Sequence, residues 1–376
     1  MTEHQNAFHR PKGTYLLSHS VGLLPKDTPS QASLFFELWK AHGAFAWDEW
    51  LSIISAFCQS LSLLLQGHPD EFCPQTNISS ALVKILYSLP VRKSRHKIVL
   101  SELDFPSAGF VLQAAQKLGY TLQFIPPCHD GNPLALWEQA LTDDVQLAFI
   151  THVYSENSAL NPVEQITALA RHKHIFSIVD IAQSVGVIPI ELLRWSADFV
   201  LGCSVKWLCG GPGASFMWVN PNQIHHCSPV DVGWFSHDDP FEFDIHHFKY
   251  AKTALRFLGG TPSILPLYVA TSGINTILKM GIERIYQHNQ ALIDQLLQQV
   301  LSLGFCINSP IERFKRGGTL VIAFEDPKKA MALFAHKGIL VDERPRFGAR
   351  FSPHIYTAEH DIQTVIQALQ QLLHPE

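Results

Sequence analysis

Two stretches decide the architecture: Ile178-Val179-Asp180-Ile181-Ala182-Gln183-Ser184-Val185-Gly186 and Phe199-Val200-Leu201-Gly202-Cys203-Ser204-Val205-Lys206-Trp207-Leu208-Cys209-Gly210-Gly211-Pro212-Gly213. In each, a run of apolar residues meets a polar turn, and a charged side chain stands at or just beyond its end. A short run that is apolar at every position reads as a strand covered on both faces, as in a parallel sheet. Working outward, further strands of this kind are expected at Lys97 to Leu100, Thr121 to Ile125, Val145 to Thr151, Ile175 to Asp180, Phe199 to Cys203 and Ser215 to Val219. Helical spacing lies between several of them, at Gly109 to Leu118 and Pro162 to Arg171. Strands alternating with helices predict an α/β fold, a mostly parallel sheet with helices on both faces. Such sheets place ligands at the carboxyl ends of their strands.

The flanks carry different patterns. Leu16 to Pro25 reads as a loop, and residues 30–65 read as two helices broken around His42-Gly43, with Leu82, Ile85 and Leu86 marking another. After Gly259-Gly260-Thr261-Pro262, one or two helices run from Leu265 to Leu303. Strands at Thr319 to Phe324, Gly338 to Asp342 and Arg350 to Ser352, with helices at Pro327 to His336 and Ala358 to Leu373, make a small C-terminal α+β unit. The expected organisation is an N-terminal segment 1–30 packing with the small domain, a large domain 31–262, connecting helices 263–304 and a small domain 305–376.

Composition narrows the class. Of 376 residues, 47% are hydrophobic and 16% charged, enough apolar surface for a sizeable core, which excludes a disordered body. A net charge of -5 offers no basic field for nucleic acid. No apolar run reaches the length of a membrane span, and Met1-Thr2-Glu3-His4-Gln5 lacks the basic-then-apolar start of a secretory signal. Seven cysteines without a Cys-x-x-Cys pair point to reduced thiols and a cytoplasmic location. His225-His226-Cys227 and His237-Asp238-Asp239 have no recognised ligand spacing, so no metal centre is expected.

Asp180 ends a strand, where it serves either a ligand or a simple cap. Lys206, among Val, Trp and Leu, is either a snorkelling surface lysine, an ion-paired one, or an amine that forms a Schiff base. The pair is more specific: 206 − 180 = 26 residues, about one strand-helix-strand step, so both can end on adjacent strands. A lysine for an aldehyde and a carboxylate for a ring nitrogen are what pyridoxal phosphate needs.

With Ser101-Glu102-Leu103-Asp104-Phe105-Pro106, Val232-Gly233-Trp234-Phe235, Gly260-Thr261-Pro262 and Arg350-Phe351-Ser352-Pro353-His354 added, nearly the whole chain resembles the fold-type I pyridoxal-phosphate enzymes of the class V aminotransferase group, and within it most resembles the kynureninases. The resemblance implies that Lys206 carries the cofactor aldehyde, Asp180 pairs with the ring nitrogen, Gln183 lies near the phenolic oxygen and Phe105 stacks on the ring. It further implies that Asn77, Ser79 and Ser204 contact the phosphate, Asn77 and Ser79 at a helix amino end, where simple capping is the competing account. Trp234 and Thr261 would reach the phosphate from the second subunit of a homodimer. Arg350 would clamp the substrate α-carboxylate, with a salt bridge to Glu343 or Asp342 as the alternative. His152, following the strand Val145 to Thr151, is expected at the cofactor pocket.

Two positions depart from the kynureninase pattern. Gln183 stands where those enzymes usually carry His, and Val205 where they carry the Tyr thought to help protonate the intermediate. Between Arg344 and Arg350 there is no cysteine of the kind desulfurases use. The expected function is a kynureninase-like hydrolytic Cβ–Cγ cleavage of an amino acid. The alternatives are a class V aminotransferase, a desulfurase-like lyase, or a cofactor-binding regulatory protein without turnover.

Overall fold

The computed structural model describes residues 4–90, 94–128 and 131–373. The first three positions of the expected N-terminal segment therefore lie outside the described residues. The central sheet has seven strands in the order Phe72–Gln75, Ser215–Val219, Phe199–Cys203, Phe176–Asp180, Val145–Thr151, Lys97–Ser101, Thr121–Ile125. Ser215–Val219 runs antiparallel to both neighbours, and the five strands beyond it are mutually parallel. Burial explains the unbroken apolar runs. Successive side chains alternate between two cores. Val99, Ala148, Ile150, Val179, Val200 and Phe216 face one core, while Ile98, Leu100, Leu147, Phe149, Ile178 and Leu201 face the other.

Helices cover both faces. Trp47–Leu65, Val163–His172 and Leu265–Met280 supply buried side chains to the first core, and Ile78–Ser88 and Pro106–Ala114 to the second. The break expected near His42-Gly43 separates the helices Thr28–His42 and Trp47–Leu65. The long helical stretch after Pro262 is two helices, Leu265–Met280 and Ile282–Ser302, parted at Gly281 with φ +84°. The helix expected over Gly109 to Leu118 is instead Pro106–Ala114, because Pro106 pre-sets the first helical turn, and a tight turn carries on to Leu118.

The small unit is a four-stranded antiparallel sheet, Asp342–Arg344, Gly348–Phe351, Leu320–Ala323, Cys306–Ile307. The helices Pro327–His336 and Glu359–Leu373 and the second half of Ile282–Ser302 close its core. One expectation is corrected here. The strand read at Gly338 to Asp342 is two short strands, and Ile339–Leu340 leaves the small sheet to pair in parallel with Thr14–Tyr15. The N-terminal segment is thus bound to the small unit, and Leu16 sits in its core. Gly22 then runs against the loop carrying Lys206, where a Cβ would lie 2.2 Å from the Lys206 carbonyl oxygen. Only glycine allows that approach.

Candidate functional site

The carboxyl ends of the parallel strands open on a cavity of about 280 Å³. Its size is near the lower limit of small-molecule sites. Asp180 and Lys206 both line it, as do Phe105, Asn77, Ser79 and Gln183. Adjacent strands deliver the first two: Asp180 ends Phe176–Asp180, and Lys206 follows Phe199–Cys203, with Asp180 in register with Leu201.

Asp180 is buried, and its Oδ1 accepts from the Ala182 N–H at 2.8 Å. Among the described residues Oδ2 has no hydrogen-bond partner. Burial pushes the Asp180 carboxyl upward, against the Ala182 N–H and the Lys206 charge. Lys206 Nζ stands 5.7 Å from the centroid of the Phe105 ring and makes no hydrogen bond or ion pair among the described residues. Gln183 is held at both ends. Its Nε2 donates to the His19 carbonyl at 3.1 Å, and its Oε1 accepts from Trp207 Nε1 at 3.2 Å. A second Nε2 hydrogen is left over.

The far wall of the cavity is the amino end of the helix Ile78–Ser88, reached by Thr76, Asn77, Ile78 and Ser79. Asn77 does cap this helix, its side chain accepting from the Ser80 N–H at 2.8 Å. The free N–H groups of the first turn and the Ser79 hydroxyl remain available for an anion. An amine, a half-satisfied carboxylate and a helix amino end around one cavity are the donor set that pyridoxal phosphate requires, and these residues fit it.

Other expected site residues lie elsewhere. Ser204 is fully buried and turned away, its hydroxyl donating to the carbonyls of Ala214 at 2.7 Å and Gly211 at 3.0 Å. It braces the glycine-rich turn and does not line the cavity. His152 is likewise absent from the cavity wall, which Thr151 and Val153 form instead. Its ring packs edge-on against Trp195 at 5.0 Å and bonds Ser184 through Nδ1, and burial lowers its pKa to about 4.

Trp234 and Thr261 do not line this chain's own cavity. Their loops are laced together by Phe235 N to Gly259 O at 3.1 Å and Gly259 N to Ser236 Oγ at 3.0 Å. Lys84, buried in the helix Ile78–Ser88, holds the same region by donating to the carbonyls of Phe257 and Leu258. Arg350 makes the Asp342 ion pair that was weighed beside the clamp reading. Nε donates to Asp342 Oδ1 at 2.8 Å, Nη2 to Asp342 Oδ2, and Nη1 to the carbonyl of Ser155 at 2.9 Å. Ser155 itself lines the cavity, so the arginine stands one residue behind its wall.

Two residues here escaped the sequence reading, and a third, Val205, was read there only as a departure. Asp104 is half-buried, accepts from the Ser101 N–H at 2.8 Å, and is pushed up to about 7 by desolvation and, to a lesser degree, by the Asp180 charge. Its place beside Phe105 was its only signal. Cys203 lines the cavity, and burial raises its thiol pKa. Val205 lines it too and brings no polar group. Away from the site, His237, Glu242 and His247 bring ligand atoms within 4.8 Å of one another. His237 Nδ1 and Nε2 are already engaged with Asp239 and the carbonyl of His247.

Residues 72–368 match the family model described as aminotransferase class-V. Among curated proteins, the kynureninase of Bacillus anthracis is 25% identical, with 100% of this chain and 92% of that protein aligned. An uncharacterized aminotransferase, YcbU of Bacillus subtilis, is 25% identical over 86% of this chain and 85% of its own length. Among solved structures, the apo cysteine desulfurase of Thermococcus onnurineus superposes with a TM-score of 0.85 at 20% identity, covering 96% of this chain and 94% of that one. A cystine C–S lyase in complex with its reaction product cysteine persulfide gives 0.87 at 19%, covering 95% and 97%. At these identities the structural likeness speaks to the fold.

Proposed function

Because this chain belongs to the class V aminotransferase family, whose cofactor is pyridoxal phosphate, we propose that it cleaves the Cβ–Cγ bond of kynurenine, or of a related amino acid, by kynureninase-like hydrolysis. One observation carries the catalytic reading: Lys206 and Asp180, from adjacent strand ends, face one cavity that a helix amino end closes. The full-length similarity to kynureninases supports the choice of reaction.

When bound, pyridoxal phosphate supplies an aldehyde and an electron-poor ring that make the α-carbon of an attached amino acid acidic. The chain's residues do the rest. Lys206 Nζ, unpaired among the described residues and 5.7 Å from the Phe105 ring centroid, would hold the aldehyde in the free enzyme and, once released, take the substrate α-proton. Asp180, with one oxygen free of hydrogen bonds among the described residues, would accept from the cofactor's ring nitrogen and keep it protonated. The Ala182 N–H fixes the carboxylate's direction and, with the Lys206 charge, favours its ionised form against burial. Ser79 and the N–H groups of its turn would hold the phosphate, and Gln183 would offer its spare Nε2 hydrogen to the phenolic oxygen. Phe105, Val153 and Val205 keep bulk water off the reacting face. Arg350 receives the substrate α-carboxylate.

A second reading has its own observation. Among the residues lining the cavity, only Asp180, Cys203 and Lys206 titrate, because Val205 brings no hydroxyl. Lys206 Nζ is then the group that returns protons to substrate carbon. That suits transamination, in which one amine moves a proton between two carbons. Persulfide transfer finds less support, since burial keeps the Cys203 thiol protonated. The test is turnover of purified holoenzyme with kynurenine, 3-hydroxykynurenine, cysteine and alanine, with product identification. Release of anthranilate and alanine from kynurenine is expected. Amino transfer to an added keto acid without cleavage would replace this reading by the second.

A homodimer belongs to the same proposal. Trp234 stacks on Phe243 at 6.0 Å, and Phe243 is 72% exposed, Ile245 90% and Trp39 56%. With Phe241, also in contact with Trp234 and 54% exposed, these side chains form the kind of apolar surface that marks an interaction site. A second copy covering it would bring Trp234 and Thr261 to the neighbouring cavity. Light scattering is expected to give twice the chain mass. Cys58, Cys73, Cys203, Cys209, Cys227 and Cys306 are free thiols, which suits a reducing compartment such as the cytoplasm.

A further inference from the structure

We propose that Asp342 and His19 are positioning residues for the substrate α-carboxylate, acting through Arg350. The inference rests on the reading of Arg350 as the carboxylate clamp. Arg350 is 1% exposed, and a guanidinium has five N–H groups. Two go to Asp342 through Nε and Nη2, and one goes from Nη1 to the Ser155 carbonyl. By that count one N–H is left on each terminal nitrogen. These are the two nitrogens from which a fork grips a carboxylate bidentately. A buried N–H with no acceptor is destabilising, so this edge of the fork calls for an incoming anion. Asp342 takes the other edge and thereby fixes the direction in which the free one points.

His19 does for Asp342 what Asp342 does for Arg350. Its Nε2 meets Asp342 Oδ1 at 2.9 Å and its Nδ1 meets Ser352 Oγ at 2.6 Å. The Ser352 hydroxyl in turn meets Thr319 Oγ1 at 2.7 Å. Asp342 is held well below the usual carboxylate range by the hydrogen bonds from His19 and Arg350, against its burial, so it is a pure acceptor. Nε2 of His19 must then carry the hydrogen, and Nδ1 accepts from Ser352. Burial lowers the His19 pKa to about 4, against the Asp342 hydrogen bond; the charged groups facing it are Asp342, Arg350 and Lys206. The ring is therefore neutral, and Asp342 is oriented without adding a charge that would compete for the substrate.

The placement of His19 gives the arrangement a reach beyond the arginine. Its carbonyl accepts from Gln183 Nε2 at 3.1 Å, and three residues on, the Gly22 N–H donates to the Val205 carbonyl at 2.9 Å. One loop of the N-terminal segment thus touches the cofactor wall and the carboxylate clamp together, and sets the distance between them.

The test uses pyridoxal-phosphate-loaded enzyme titrated with L-alanine and with ethylamine, which lacks the carboxylate. The readout is the concentration that half-saturates the change in cofactor absorbance. Asp342→Asn is expected to raise that concentration for L-alanine by about tenfold or more and for ethylamine by less than about twofold, the scale of losing charge-assisted orientation. His19→Ala should raise the L-alanine value about three- to tenfold, and His19→Gln, which keeps a donor, should restore most of it. A purely structural role would weaken both amines alike, and no glutamine rescue specific to L-alanine would follow. Equal losses for the two amines, or tighter L-alanine binding in Asp342→Asn, overturn the proposal. Arg350→Ala separates the two layers. If it fails to discriminate between the amines, the clamp reading itself falls; if it discriminates while the other variants do not, only the positioning role falls. Wild-type enzyme that responds to neither amine overturns both.

Discussion

The sheet edge and the clamp treat their polar atoms in opposite ways. At the sheet edge Asp180 has one oxygen bound and one open, and Lys206 Nζ bonds nothing. In the clamp, both Asp342 oxygens, both ring nitrogens of His19 and the Ser352 hydroxyl are engaged. Groups that must react are held by the backbone and left partly unsatisfied. Groups that only aim others are saturated, which fixes their geometry. Changes at the sheet edge should therefore alter chemistry more than stability, and changes near the clamp should alter affinity and stability together.

The largest effect should come from Lys206→Ala, with turnover down at least about a thousandfold while the thermal midpoint moves little, because the amine bonds nothing that holds the fold. A comparable loss of midpoint would break the contrast. Asp180→Asn should lower turnover by about a hundredfold and shift the cofactor absorbance, since an amide cannot hold the ring proton. Gly22→Ala tests the join between the regions. A methyl at this position meets the Lys206 carbonyl, so a destabilisation of about 1–3 kcal/mol by denaturant titration is expected, with weaker amino-acid binding.

The last test is a pH dependence. Asp104 is pushed up to about 7 in the fold, against an ordinary value of 3.8. Between those values the folded chain keeps a proton that the unfolded chain releases, so this group makes stability fall as pH rises from about 4 to about 7. Asp104→Asn should remove that slope. Midpoints of variant and wild type measured across this range should diverge upward with pH, and parallel curves would refute the assignment.

The sequence made the sheet edge legible for a physical reason. Strands buried on both faces must be apolar throughout, so the charged residue that ends such a run stands out, as Asp180 and Lys206 do. Legibility stopped at single-residue parity. Thr151 and Val153 line the cavity while His152 between them points away, and Cys203 lines it while Ser204 turns into the adjacent loop. Alternation is certain along a strand, but its phase at the end, where the backbone turns, is not written in residue type. The strand Phe72–Gln75 was missed because Pro74 argues against a strand; it is tolerated only because this is an edge strand. The clamp was half visible. Asp342 lies close to Arg350 in the chain and was weighed as its partner, whereas His19 meets Asp342 across 323 residues, and no local pattern announces such a contact.

That separation has a consequence for biosynthesis. The ribosome makes residues 14–18 long before their partners: Thr14 N–H bonds the Gly338 carbonyl, Leu16 N–H the Leu340 carbonyl, and Ser18 the Tyr356 hydroxyl. Closing so long a loop adds only slowly to the entropic penalty. The delay is kinetic: a nascent chain can complete its parallel sheet while residues 14–19 still wait, and the carboxylate end of the site is finished only after Gly338 to Tyr356 have emerged.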